Sequence, residues 1–250
     1  MLSKEKICSV LAAIATFTLL FTTLFLSLRL VMNDSGYYLD KYQKLDMQTR
    51  IGISPEDCTN AIMKLIDYME GRTNSIDLDV NESGVEVSMY NDRERAHMLD
   101  VRNLFESFKL VSGIGLFITA VCSIAISAIT RRTNWSYAMT NVLIGRGFIA
   151  AVWAFAAVIL IVGAWALIDF TNFWTSFHLA FFTNDLWLLN YATDRMIRIC
   201  PEELFFELIM RFGIIFVGFT AVLTTVVCII KKRAERKLKK ERDGARGGRK

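Results

Sequence analysis

Apolar positions along this chain gather into four dense blocks, residues 7–32, 104–129, 142–168 and 212–230. Each reaches or exceeds the roughly 18–20 apolar residues with which an α-helix crosses a bilayer. The pattern predicts four transmembrane helices, and four crossings leave both termini on one side. Lys4 and Lys6 precede the first block, Arg131 and Arg132 follow the second, Arg146 opens the third, and Lys231-Lys232-Arg233 follows the fourth. Because positive charge is retained in cytoplasmic loops, the termini are expected in the cytoplasm and residues 33–103 and 169–211 outside it. The first block is longer than a signal-peptide core, and no small-x-small site follows at Met32-Asn33-Asp34, so it reads as an uncleaved anchor. The run Glu5-Lys6-Ile7-Cys8 lacks a lipobox.

Between the blocks the periodicity changes. Ser54-Pro55-Glu56-Asp57 carries a serine cap, a proline at the first helical position and acids in the electropositive first turn. Ala61, Ile62, Leu65, Ile66 and Met69 then share one face, and Gly71 supplies a stop. This is a short amphipathic helix. Ile76 to Val80 and Val85 to Met89 alternate apolar and polar residues on either side of Asn81-Glu82-Ser83-Gly84, the pattern of a β-hairpin. Helix and hairpin make an outer cap of about 60 residues, too small for a large core and expected to pack on the membrane bundle. The fold class is mainly α: a four-transmembrane-helix bundle with a small extracytoplasmic α+β cap and an interfacial aromatic helix.

The organisation expected along the chain is 1–32 for the tail and first span, 33–90 for the cap, and 91–129 for a polar motif and the second span. A cytoplasmic loop and third span follow at 130–168, an outer interfacial segment at 169–211, the fourth span at 212–230 and a basic tail at 231–250. The whole is 53% hydrophobic with a mean hydropathy of +0.35, which excludes an ordinary soluble domain. The basic tail suits anionic lipid headgroups better than nucleic acid. Transport is disfavoured because the middles of the spans carry no charge; Glu106, Lys109, Asp169, Arg146 and Arg211 all lie near span ends. Of the five cysteines, Cys8, Cys122 and Cys228 fall within spans. Cys58 and Cys200 fall outside, where oxidation is possible, but unpaired thiols are the preferred reading because the sequence does not set their separation. No spacing suggests a metal or haem site.

The chain has two histidines, and both fall in outer segments dense in polar and aromatic residues. His97 follows Asn91-Asp92-Arg93-Glu94-Arg95-Ala96, where Asn91 and Glu94 have capping-box spacing and predict a helix continuing into the second span. On that helix His97 extends the stripe of Val101, Leu104, Phe105 and Phe108, with Glu94 and Asp100 each three residues away as carboxylates that could orient it. His178 lies in a helix whose Phe170, Phe173, Trp174, Phe177 and Phe181 share a stripe, and at ~100° per residue it falls ~70° off the stripe centre. That position predicts an imidazole at the waterline, on the polar edge of an interfacial helix. Cys200-Pro201-Glu202-Glu203 reads as the start of the helix entering the fourth span, with Glu207 and Arg211 spaced for an i,i+4 pair. No Gly-x-Ser-x-Gly elbow is present, and neither outer cysteine adjoins a histidine, so a covalent nucleophile is unsupported.

These residues resemble a known family. Asn91-Asp92-Arg93-Glu94 with His97-Met98 and Asp100-Val101 precedes the second span; Phe177-His178-x-x-Phe181-Phe182-x-Asn184-Asp185-x-Trp187, with Asp194 and Pro201-Glu202-x-x-Phe205-Phe206, precedes the fourth. Together with four spans, one long and one shorter outer segment and a basic tail, they resemble the bacterial lipoprotein intramolecular transacylases over nearly the whole chain. The segment 33–88 offers no matching motif. The resemblance implies a reaction on the outer face of the cell membrane of Gram-positive bacteria. Its substrate is a lipoprotein whose N-terminal cysteine carries a diacylglyceryl thioether and a free α-amine. The sn-2 acyl chain moves to that amine, giving an N-acyl, S-monoacylglyceryl (lyso-form) lipoprotein, with no cofactor.

Such an aminolysis needs a base for the amine and an acid for the departing glycerol oxygen, roles two imidazoles can fill. The candidate catalytic residues are therefore His97 and His178, in either assignment. Asn91, Asp92, Arg93, Glu94, Asp100, Asn184, Asp185 and Trp187 are candidates for supporting or positioning roles, and Phe177, Phe181 and Phe182 for an acyl-chain path. On a straight helix His97 stands ~10 Å above Leu104, so the two histidines meet only through a tilt, a bend or a roof formed by the second segment. The reading from another class is a non-enzymatic membrane adaptor whose outer cap binds a partner.

Overall fold

The computed structural model describes residues 3–247. The elements are α1 (Lys4–Met32), α2 (Ser35–Lys44), α3 (Met47–Ile51), α4 (Pro55–Glu70), β1 (Asp79–Glu82), β2 (Val85–Ser88), α5 (Asp92–Thr133), α6 (Tyr137–Ile168), α7 (Phe170–Phe181), α8 (Arg195–Ile199) and α9 (Glu202–Gly247). Among the described residues four helices, α1, α5, α6 and α9, are long and apolar enough to cross a membrane, in agreement with the four apolar blocks. The chain divides into two compact units. One holds α1 up to Phe25, Val111–Gly163 and α9 from Ile214; the other holds Leu26–Leu110 and Ala164–Gly213.

The first unit is built from the apolar lengths of the long helices. Large side chains such as Phe117, Trp153 and Ile161 stay exposed, as expected where lipid rather than water is the solvent. With little hydrophobic force between helices in lipid, close approach and interhelical hydrogen bonds hold them. A β-carbon on Gly147 of α6 would sit 2.1 Å from the Ser9 carbonyl oxygen of α1, so only glycine permits this crossing. Thr18 and Thr119 share a hydroxyl hydrogen bond of 2.9 Å between α1 and α5. Leu20, Phe155 and Phe216 pack together from α1, α6 and α9.

In the second unit the amphipathic helix forms as its caps dictate. The Ser54 hydroxyl accepts the Asp57 N–H at 3.0 Å, Pro55 opens α4, and Gly71 ends it at φ +80°, a left-handed conformation that disfavours a side chain. The hairpin also forms, but with a tighter turn than the alternation suggested. Glu82 pairs with Val85, so Asn81 and Glu82 belong to β1, and Ser83 and Gly84 alone make the turn. Both have positive φ, 53° and 91°, as a type I′ turn requires.

Three helices were not legible in the periodicity: α2, α3 and α8. Each is short, and α2 is stabilised by tertiary burial of Tyr38 and Tyr42. The Tyr42 hydroxyl donates to the Ile199 carbonyl at 2.8 Å and Tyr90 to that of Ala61 at 2.9 Å, so these buried phenols are satisfied. The core around them gathers Met47, Ile53, Leu65, Ile66, Met89, Met98 and Leu204. Because α2 is present, the expected Glu207–Arg211 pair does not form. Glu207 instead binds Lys41 at 2.5 Å and accepts from the Tyr37 hydroxyl at 3.2 Å, while Arg211 reaches Asp34 at 3.2 Å and lies over the Tyr37 ring. Cys58 and Cys200 are free thiols.

Candidate functional site

The first turn of α5 is a reciprocal capping box, as its spacing predicted. Asn91 Oδ1 accepts the Glu94 N–H at 3.0 Å, and Glu94 Oε2 accepts the Asn91 N–H at 2.7 Å. Asn91 and Glu94 also reach across to the segment that follows α7. The second Glu94 oxygen accepts the Met196 N–H of α8 at 2.5 Å, and Asn91 Nδ2 donates to Asp194 Oδ1 at 2.8 Å. Arg93 donates to the Asp185 carbonyl, and Asn184 Nδ2 donates to Asp100 Oδ2 at 2.8 Å. Four polar ties thus fasten the chain after α7 to the first turns of α5.

Electrostatics distinguishes the two buried acids in this clasp. Burial pushes the Glu94 carboxyl upward, and the two backbone N–H groups pull it only partly back. Burial pushes the Asp194 carboxyl up too, but the Asn190 N–H at 2.6 Å, the Asn91 amide and the Thr193 hydroxyl at 3.0 Å outweigh it and hold the group below its usual value.

The clasp brings the histidines together. The His97 and His178 ring centroids lie 6.1 Å apart with planes inclined by 32°, and both residues are only 7% exposed. Phe182, where the chain leaves α7 in extended conformation, packs against both rings at 5.5 and 5.6 Å. Trp187 stacks on His178 at 4.9 Å and is held by its indole N–H to the Asn184 carbonyl at 3.0 Å. Trp174 closes another side of His178 at 4.8 Å. The waterline position expected for His178 is corrected by this folding back: the Phe182 and Trp187 rings cover the edge that an isolated α7 would present to water.

Tautomer and charge follow from the surroundings. His178 Nδ1 lies 2.7 Å from the Trp174 carbonyl, an acceptor only, so Nδ1 carries the hydrogen and Nε2 keeps its lone pair. His97 Nδ1 is buried and has no hydrogen-bond partner. Burial, the neighbouring His178 and the Arg93 charge push His97 down to about 4 against the opposing pull of Asp100. Burial also lowers His178, against the support of the Trp174 carbonyl. Both imidazoles are neutral at pH 7.

The sequence left Glu94 and Asp100 open as the carboxylate beside His97. Glu94 spends both oxygens on backbone N–H groups, and Asp100 is the acid whose charge acts on His97. Asp92 is exposed beside Arg95 at 3.3 Å, and Asp185 is exposed beside Arg93. Of the aromatic candidates, Phe182 seals the histidine pair, whereas exposed Phe181 meets Phe108 at 6.0 Å and half-buried Phe177 stacks on Trp174. Sequence reasoning assigned no role to Trp174 or Asp194. Trp174 stands one helical turn before His178, a spacing that could have marked its carbonyl as the imidazole's anchor.

A family model described as "Lipoprotein intramolecular transacylase Lit" matches residues 13–206. The solved structure of the membrane integral lipoprotein intramolecular transacylase Lit from Bacillus cereus is similar with a TM-score of 0.65 at 16% identity, covering 92% of this chain and 98% of that one. Two variants of the Bacillus cereus protein, with a histidine replaced by arginine or by alanine, match with a TM-score of 0.65 at 15% identity. They cover 92% of this chain and 94% and 96% of theirs. At such identities the likeness establishes the fold. No curated protein matches.

Proposed function

The chain belongs to the lipoprotein intramolecular transacylase family, and from that premise we propose that it moves the sn-2 acyl chain of a diacylglyceryl-modified lipoprotein to the α-amine of the same molecule's N-terminal cysteine. The observation that supports this most directly is the buried, neutral histidine pair, drawn from two separate segments. The amine, with a pKa near 8, attacks as the free base, and a proton must leave nitrogen as the N–C bond forms. His178 Nε2 carries the lone pair that accepts it. His97, held neutral, offers an N–H to the ester oxygen as negative charge develops there. When the C–O bond to glycerol breaks, the proton on His178 passes to the departing oxygen, so both imidazoles end as they began. Amine and ester belong to one molecule, so positioning can replace a covalent acyl-enzyme.

Asp100 is the acid whose charge acts on His97, partly offsetting the effect of its burial. Asn91, Glu94, Asn184 and Arg93 fix the two segments, and exposed Phe181, packed against Phe108 at 6.0 Å, offers the acyl chains an apolar contact. His97 and the Arg131-Arg132 pair occupy opposite ends of α5, which supports an extracytoplasmic site with cytoplasmic termini. The test is purified protein with a synthetic diacylated lipopeptide and no other component. Mass spectrometry should show the lyso product; binding without acyl migration would overturn the enzymatic reading in favour of an adaptor.

A further inference from the structure

The transacylase reading accounts for the acyl ester and the amine, but the same cysteine also begins a polypeptide that must leave the site. An open surface hollow of about 530 Å³ lies beside the first turn of α5, lined by Val87, Ser88, Tyr90, Asn91, Asp92, Arg95 and Arg195. All belong to the compact unit that holds the histidines. Asn91 precedes His97 by six residues on or at the start of one helix, about 9 Å along its axis. An extended peptide covers that distance in about three residues.

The cavity runs along an open strand edge. In the hairpin register the pairs Glu82 with Val85 and Val80 with Val87 face each other through hydrogen bonds, and the Met89 N–H to Leu78 carbonyl bond of 2.8 Å continues the alternation. Glu86 and Ser88 therefore turn their backbone N–H and C=O groups away from β1. Among the described residues β2 has β1 as its one strand neighbour. Arg195 Nη1 donates to the outward Ser88 carbonyl at 3.2 Å, which places this edge within the cavity. Arg95 spans Asp77, Asp92 and the Ser88 hydroxyl beside the edge.

We infer that this groove is the peptide subsite: the residues following the modified cysteine add to the outward edge of β2 as a further strand, held by main-chain hydrogen bonds at Glu86 and the Ser88 N–H, with Arg195 already closing the Ser88 carbonyl. An edge of this kind reads backbone rather than side chains, so it accepts many sequences. The inference rests on the transacylase reading.

The test uses the full-length enzyme in detergent and three synthetic substrates. They are a diacylglyceryl-cysteine peptide, the same peptide N-methylated at the third to fifth positions after cysteine, and diacylglyceryl-cysteine amide with no peptide. N-methylation removes the donors that a strand edge needs and should raise KM about tenfold, to the value of the amide, with kcat little changed. Glu86→Pro, which deletes an outward N–H on an edge strand, should raise KM for the unmodified peptide alike while leaving thermal stability near that of the parent. Equal KM for all three substrates, at whatever rate they are converted, would overturn the peptide subsite and leave the transacylase reading intact. Conversion of none would overturn that reading and this inference together.

Discussion

The imidazoles of His97 and His178 face each other at 6.1 Å without sharing a direct hydrogen bond, a separation that leaves each free to act on a different atom of one reacting centre. His178→Gln removes the lone pair that accepts the amine proton, and His97→Ala removes the N–H offered to the oxygen. Each is expected to lower kcat by about 10²–10⁴-fold while the diacylated substrate still binds. Product formation by mass spectrometry, alongside binding measured with a fluorescent diacylated lipopeptide, checks this. Near-parental conversion by either variant, correctly inserted, would sink the assignment.

The pH profile should carry the signature of imidazoles that are already neutral. Below about pH 8 the substrate amine loses its reactive form while both imidazoles are already neutral, so log kcat/KM should begin to fall with a slope of about one per pH unit. As pH approaches 4, where His97 takes up its proton, the slope should steepen. An inflection near 6.5 would mean that the histidines are not desolvated in the working enzyme. Stability follows the same group. The folded value of His97 lies below its unfolded one, so the unfolded chain binds the proton first. The contribution is fully present above about pH 6.5 and is lost as pH falls from there toward 4. Thermal unfolding in detergent across that window reads it directly.

Glu94 is the hinge pin of the clasp, because one carboxylate closes the start of α5 and holds the start of α8. Glu94→Ala orphans two backbone N–H groups, that of Met196 in a buried setting, and should cost about 2–4 kcal/mol. Glu94→Gln keeps an acceptor for only one of the two N–H groups and turns its NH2 toward the other, so it should cost less than Ala but still destabilise. Both should lower kcat, since the segment carrying Asn184 and Trp187 loses its anchor beside His178, and Gln should recover part of what Ala loses. Unfolding midpoints for both variants similar to the parent would show that the clasp is held elsewhere.

Much of this architecture was written in local pattern. The spans, α4 with Ser54 and Gly71, the hairpin, the capping box at Asn91 and Glu94 and the aromatic stripe of α7 all follow from periodicity or from chemistry within one turn. The histidines themselves were legible because they stand alone in the composition and sit among polar residues outside the spans. What remained hidden depends on long-range pairing. No periodicity marks Asp194 as the partner of Asn91 or Met196 as the partner of Glu94, because those bonds join segments about 100 residues apart. The burial of His178 arises in the same way, from Phe182 and Trp187 folding back over a helix whose own stripe put the imidazole at the water's edge. The fate of Glu207 and Arg211 turned on α2, a helix stabilised by burying two tyrosines rather than by a strong pattern of its own.

The membrane helices offer a matched pair of glycines on α6 that separates close packing from chain flexibility. A β-carbon at Gly147 would lie 2.1 Å from the Ser9 carbonyl oxygen and 2.8 Å from Ala12 Cβ, contacts with a backbone that cannot swing aside. Gly163, on the same helix, has nothing within 4 Å of the equivalent position. Gly147→Ala must push α6 away from α1, an overpacking that should cost about 1–3 kcal/mol or more. Gly163→Ala meets no neighbour and gains helix propensity, so it should be neutral or stabilise by up to about 1 kcal/mol. The two shifts in thermal midpoint, measured in one detergent, should therefore have different magnitudes and opposite or null signs. Equal tolerance at both positions would mean that α1 and α6 do not meet at Gly147. The small-residue contact would then have to be dropped as the reason this helix pair packs.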